Sequence, residues 1–392
     1  MRRLLFFFRL LLPVFFAALA SAQTVQHTLI PYRLGNLWGF ADVKGNIAIA
    51  TKFQQTFLFS GSVAVVKSDG RYSIIDRTGK TLIPYRYDYI SNFEEGVAIA
   101  SRDGRWVVLN EKGKEITKRD YDAIAPFSEG LAIVKSGEKF GYINLKGEEV
   151  IPPQYEYVAP YAEGLALVRR DGQYGFINAK GLPVIPLQYS AAASVHDELA
   201  LVRKDSLWGF VDEEGKLKIG FQYINASSFS EGLAAVKKTD SVGFINTSGE
   251  VVIPFRYENA NSFKEGMALV KRNGKMGFVN ESGKEIIAPQ FDAANDFSGA
   301  MALVFVNGAL GIVSKTGTLI SLSQYTDAKN FSEGLARVQR DGKWGYISEA
   351  GAEVISCQYE NSDDFIEGLA LVRKNGQWGF IDKSGKEFFR EF

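Results

Sequence analysis

Apolar residues in this chain come in short runs separated by polar turn signals, and the same order of runs and turns returns at one fixed interval. Residues 163–189 show most of one period: EGLALVRRDGQYGFINAKGLPVIPLQY. Its first apolar run, 165–168 (Leu-Ala-Leu-Val), is continuous rather than alternating, the pattern of a short strand buried on both faces. Asp171-Gly172 then divides the stretch 165–169 from 173–178. An Asp-Gly or Asn-Gly pair between apolar runs predicts a two-residue β-hairpin, because both central residues of that turn need positive φ. The pair recurs at Asp69-Gly70, Asp103-Gly104, Asn273-Gly274, Asn307-Gly308, Asp341-Gly342 and Asn375-Gly376.

A second turn follows each second run. Asp, Asn or Ser at 42, 76, 110, 144, 178, 212, 246, 280, 314, 348 and 382 is followed three residues later by glycine in every copy: Gly45, Gly79, Gly113, Gly147, Gly181, Gly215, Gly249, Gly283, Gly317, Gly351 and Gly385. The Asx or Ser side chain accepts a local backbone hydrogen bond, and the glycine takes the left-handed conformation that closes a type I turn with a bulge. The third run reaches a proline at Pro84, Pro152, Pro186 and Pro254. Proline removes a ladder donor, so the third strand ends there or lies on a sheet edge. Each unit is thus expected to be a three-stranded antiparallel meander. A connection of about ten residues follows, with room for a short fourth strand. Sustained helical periodicity is absent, so no helix is expected after residue 22.

The most conspicuous recurring position lies in the second run. It holds Trp38, Tyr72, Trp106, Phe140, Tyr174, Trp208, Val242, Met276, Leu310, Trp344 and Trp378, each separated from the next by the same interval. A fixed period of about 34 residues is the signature of a repeat architecture. One such meander cannot bury enough apolar surface to fold alone, whereas stacked neighbours can. The stretches Lys343-Trp344-Gly345-Tyr346-Ile347, Gln377-Trp378-Gly379-Phe380-Ile381-Asp382 and Phe331-Ser332-Glu333-Gly334-Leu335-Ala336 resemble the WG repeat family of secreted bacterial proteins, over essentially the whole chain after residue 22. The resemblance implies an all-β repeat without an established catalytic role. It supplies no functional residues to carry over. Departures from the motif are Ser73 and Val107 in place of its glycine, and Val242, Met276 and Leu310 in place of its aromatic.

Two all-β architectures use repeated meanders. An open β-solenoid or superhelical stack takes any number of units, whereas a β-propeller typically has 4–8 blades of four strands. Eleven units exceed an ordinary ring, each repeat is short for four strands, and no blade is visibly shared between the chain ends. The expectation is therefore the open stack, with the propeller-like ring as the alternative.

The N-terminus changes the picture by supplying an address. Arg2, Arg3 and Arg9 precede an apolar stretch, and Ala20-Ser21-Ala22 is a small-x-small site, so residues 1–22 read as a secretory signal cleaved between Ala22 and Gln23. The uncharged run 10–21 is too short to span a bilayer, which takes about 20 residues. The expected location is secreted, periplasmic or at the cell surface. Residues 23–392 then form one continuous array of about eleven repeats. Taking three arginines from the 45 basic residues leaves 42 against 45 acidic, a net charge of −3. Such a chain has no basic field for nucleic acid and no polybasic patch for anionic lipid. Cys357 is the only cysteine, so no disulfide can form within the chain.

Candidate chemistry is sparse. His27 and His196 are the only histidines, and neither pairs with Cys357 in a recognisable motif. No zinc spacing, calcium loop or phosphate cradle is present. No catalytic, cofactor-binding or metal-binding residue is therefore assigned, and the chain is expected not to be an enzyme. Glu129, Glu163, Glu231, Glu265, Glu333 and Glu367 recur in phase and read as a solvated face that opposes edge-to-edge aggregation, or alternatively as a binding ladder. Trp38, Trp208, Trp344 and Trp378 read as core packing rather than as sugar-stacking platforms. The function expected is an exported, non-catalytic repeat scaffold binding a protein or cell-envelope polymer over an extended surface; the alternative is a glycan- or cell-wall-binding, lectin-like module.

Overall fold

Asp171 and Gly172 both have positive φ, 52° and 73°, and turn strand Leu165–Arg170 directly into Gln173–Asn178. Asn178 then accepts Lys180 N–H and Leu182 N–H on its side-chain oxygen, at 3.0 and 3.1 Å, while Gly181, at φ 77°, donates its N–H to Asn178 C=O. That turn leads into Pro183–Tyr189. The connection before Leu165 contributes a very short fourth strand, Tyr157–Val158. The blade is an antiparallel meander whose strands lie in sequence order. The leading strand spans only Tyr157 and Val158 here, but runs six residues in three other repeats, Ala123–Ser128, Ala191–His196 and Asp327–Ser332, so the connection between third and first strands is what supplies the fourth. The proline-bearing strand lies on the edge of its sheet, where a missing N–H is tolerated.

In this computed structural model, which describes residues 29–390, eleven such blades follow one another, and no helix occurs among the described residues. The expected open stack is not adopted. The chain takes the alternative, a propeller-like ring closed by its two ends. The first blade has Ile30–Leu34, Leu37–Ala41 and Ile47–Phe53, with no leading short strand among the described residues. Phe389–Arg390, from the end of the chain, occupies that place and pairs with Arg33 and Leu34, parallel where every other blade is antiparallel. Arg33 N–H donates to Phe388 C=O at 3.2 Å, and Lys386 Nζ reaches Val43 C=O at 2.6 Å. Phe388 and Leu369 share one apolar cluster with Ile30 and Tyr32. The tail 387–392 looks like an ordinary third strand in sequence. It begins as one, with a Glu387–Ile381 bridge, and then crosses to the first blade.

The two glycines of each repeat answer different needs. All eleven second-turn glycines have positive φ. In most blades that turn also presses on the preceding one. A Cβ on Gly181 would meet Ile151 at 2.9 Å, one on Gly249 would meet Ile219 at 3.2 Å, and one on Gly283 would meet Ile253 at 3.1 Å. The glycine after the Trp-like position has no special φ. It faces a bulge in the neighbouring strand, and a Cβ on Gly175 would lie 2.6 Å from Ile185 C=O. Ser73 and Val107 break this rule. In their blades the last strand is reduced to isolated bridges, Tyr72–Tyr87 with Ile75–Thr81, and Trp106–Tyr121 with Leu109–Glu115. A buried side chain at this position holds the last strand off, and Ser73 Oγ bonds Ile83 C=O in its stead.

Two outcomes are expected. Gly147→Ala and Gly45→Ala both place alanine at positive φ, a strain of about 1–2 kcal/mol. Only the Gly147 methyl would also strike a neighbouring blade, at Ile116 C=O, since Gly45 faces open space. Urea denaturation should therefore find Gly147→Ala clearly the less stable; equal losses would detach the glycine from blade contact. Ending the chain after Glu387 removes the buried Phe388 and Phe389, and should lower stability by several kcal/mol in thermal unfolding.

Candidate functional site

Most recurring chemistry-bearing residues are consumed between blades. The acidic row is neither a merely solvated face nor a free binding ladder. Glu129 accepts Glu163 N–H and Gly164 N–H at 2.8 and 3.0 Å, and Glu163 accepts Asp197 N–H and Glu198 N–H at 3.0 and 2.8 Å. Asp197 accepts Gly232 N–H, Glu231 accepts Glu265 and Gly266 N–H, and Glu265 accepts Gly299 N–H. Glu333 accepts Gly368 N–H at 3.1 Å. Each of these carboxylates is thus cradled by the next blade's turn, where positive φ aims the N–H groups at it. The ladder skips at Gly299, which has no side chain to pass it on. Glu367 belongs to the last such turn, with φ 52°.

Other rungs run in parallel. Ser128, Ser230, Ser298 and Ser332 each donate Oγ–H to the carbonyl of an aromatic one blade on, at 2.7–3.0 Å. Tyr121 OH bonds Glu149 at 2.7 Å, and Tyr257 OH bonds Glu285 at 3.0 Å. Burial, with the Glu149 bond, pushes the Tyr121 phenol up to about 12. Arg272 grips both oxygens of Glu285, at 2.5 and 2.9 Å, and holds that carboxyl below the usual range. Aromatic pairs complete the interface, among them Phe210–Phe229, Phe244–Phe263 and Phe278–Phe297, with centroids 4.8–5.0 Å apart.

The Trp-like row is half occupied from within. Trp38 is buried, while Trp208, Trp344 and Trp378 are half-buried. A cation on the strand directly opposite lies over several of these rings: Arg33 over Trp38, Arg169 over Tyr174 and Arg203 over Trp208, at 5.5–5.6 Å. A basic residue five positions before the aromatic is visible in the sequence and is the signal that marks this arrangement. His196 is exposed on its strand. Cys357 is half-buried, with its thiol directed at Val338 C=O and pushed up by burial. Among the described residues no group of histidine, cysteine and carboxylates could hold a metal ion. Ala22, Gln23 and His27 lie outside the described residues.

Ring closure creates the most distinctive recess, of about 510 Å³, from blades 11, 1, 2 and 3. Trp38, Phe57, Trp378 and Phe380 supply apolar walls, and Arg33, Gln55 and Asn92 supply polar groups. Phe380, from the last blade, packs edge-on to Trp38 of the first, with centroids 6.0 Å apart. Arg33 donates to Gly35 C=O and Trp378 C=O, both at 2.9 Å, and burial lowers its guanidinium pKa. A second recess, of about 560 Å³, gathers Asp197, Glu198, Asp212, Glu213 and Glu214 around Lys218.

Fold and contacts together define a closed, propeller-like ring of β-meander blades tied by side-chain-to-backbone ladders. The chain belongs to the WG containing repeat family, whose model matches it ten times in tandem between residues 38 and 378. No curated protein matches the sequence. Among solved structures it is similar to a eukaryotic initiation factor, at 12% identity, covering 75% of this chain and 95% of that one, with a TM-score of 0.41. BamB from Moraxella catarrhalis is similar at 15% identity, 68% and 92% coverage and a TM-score of 0.32. PorZ, a surface component of the type-IX secretion system of Porphyromonas gingivalis, is similar at 10% identity, 90% and 64% coverage and 0.26. No helix among the described residues is long and apolar enough to cross a membrane.

The Arg272–Glu285 pair sets an acid limit. A carboxyl whose folded-state pKa is depressed contributes stability above its unfolded value, about 4.3, and loses it as pH falls through the folded value. Glu285→Gln should therefore destabilise the ring at pH 7 and leave the stability gap to wild type shrinking below about pH 4. Thermal melts across pH 3–7 check this; a gap independent of pH would sink the assignment.

Proposed function

We propose that this protein is an exported, non-catalytic scaffold that binds a protein partner over the surface of its ring. The observation that carries the reading is the employment of the recurring residues. The acids that recur in phase are engaged by turn N–H groups one blade away, so the chemistry that repeats most is structural. What varies from blade to blade is the lining of the recesses, as expected of a surface that reads one partner rather than a repetitive polymer. The proposed location is the cell envelope or beyond, on the strength of the N-terminal signal.

The lectin-like alternative needs aromatic faces open for sugar stacking. Several of the rings in question already carry an intramolecular cation, and Trp38 is buried, which favours the protein-binding reading. Immobilised residues 23–392, exposed in parallel to cell-envelope proteins and to purified envelope glycans, should retain a defined protein and release the glycans. Retention of glycan alone, abolished by Trp344→Ala, would establish the alternative. Turnover of any retained material would overturn the non-catalytic assignment.

A further inference from the structure

In two adjoining blades the cation-over-aromatic arrangement loses its ring but keeps its cation. At Val242 and Met276 the aromatic is absent, yet the opposing lysines, Lys237 and Lys271, remain in register with these residues. The site they leave is a recess of about 490 Å³ between blades 7 and 8. Small residues deepen it. Ala235 stands where Leu167, Leu201 and Leu269 stand in other blades, and Ala226 and Ala260 form part of its lining. Neither lysine has a carboxylate, carbonyl or ring partner among the described residues, and both are half-buried.

Each lysine also lies directly opposite an asparagine: Asn225 pairs with Lys237, and Asn259 with Lys271. Both asparagines use their side-chain oxygen to accept the N–H of the next residue, at 2.9 Å. Their amide NH₂ groups are thereby left as donors without partners among the described residues. The recess therefore presents two identical Asn–Lys donor pairs, one blade apart. The single carboxylate in its wall, Glu258, is engaged by Gly274 N–H at 3.2 Å.

We infer that the recess between blades 7 and 8 is a docking site for an acidic peptide segment, with two of its carboxylates each held by one Asn–Lys pair. A carboxylate offers two coplanar acceptors, which suits an ammonium and an amide NH₂ supplied by directly opposed residues. Two equivalent pairs on successive blades ask for two carboxylates on one flexible ligand. This site rests on the protein-binding reading above and gives it a location and a ligand chemistry.

The probe is fluorescein-labelled hexaglutamate, followed by anisotropy with the chain 23–392. Wild type should bind it, with an affinity that falls as salt rises. Lys237→Gln with Lys271→Gln should weaken binding at least about tenfold, the sum expected for two partly exposed charge contacts. Val242→Trp keeps both lysines but restores the aromatic of other copies and fills the recess, so it should weaken binding comparably while the melting profile stays cooperative. Unchanged binding in either variant would overturn the site, as would displacement of the peptide by inorganic phosphate or polygalacturonate in preference to unlabelled hexaglutamate. Wild type that ignores hexaglutamate but still retains an envelope protein overturns this site alone, and leaves the scaffold reading standing.

Discussion

A small four-stranded sheet of this kind has two apolar faces and no means of covering either by itself. Here the strand Leu165–Arg170 is buried at its first four positions, which a single sheet could never achieve. The neighbouring blades supply the cover, so the contact between blades is the interaction on which everything else depends. It explains why the period does not slip. An insertion in any copy would misplace the turn glycine against the preceding isoleucine, the carboxylate against the next turn, and the serine against the next carbonyl, all at once.

Because each blade needs two neighbours, the ends of the array are its weak point. Repeat stacks usually protect their ends with polar capping units. This chain removes the ends. Its last residues leave the eleventh blade and supply the strand that the first blade lacks, with a direction of pairing found nowhere else in the ring. The seam has its own aromatic contact, Trp38 on Phe380. Closure therefore makes one place in an otherwise repetitive molecule that is unlike the rest, and a recess lies there.

The repeat residues serve construction, and individuality comes from departures. Ser73 and Val107 loosen the last strands of blades 2 and 3, Gly299 interrupts the carboxylate ladder, and Val242 with Ala235 opens a recess beside two lysines. Each is a change of one or two side chains within an unbroken repeat. A repeated scaffold can thus acquire a specific surface at a few positions, even ones such as Ala235 and Val242 that pack against the next blade, while the carboxylate and serine ladders still tie the blades together.

Turns, strands and repeat number were legible in the sequence, because they depend on local chemistry: Asp-Gly pairs that accept positive φ, Asx residues that fold back on their own backbone, and runs such as Leu-Ala-Leu-Val that must be covered on both sides. The need for glycine at Gly147 was half legible; its φ is local, but its nearness to Ile116 is not. The tertiary structure alone decided the rest. Ring closure turns on where the few residues after Glu387 go, and their pattern is that of any other third strand. The carboxylate row joins each acid to the turn one blade on, so its partners are backbone N–H groups that carry no mark in the sequence. Periodicity reports what each unit repeats; the small rotation from one unit to the next, which sends an array into a stack or a ring, is a property of packed side chains and emerges only when the blades meet.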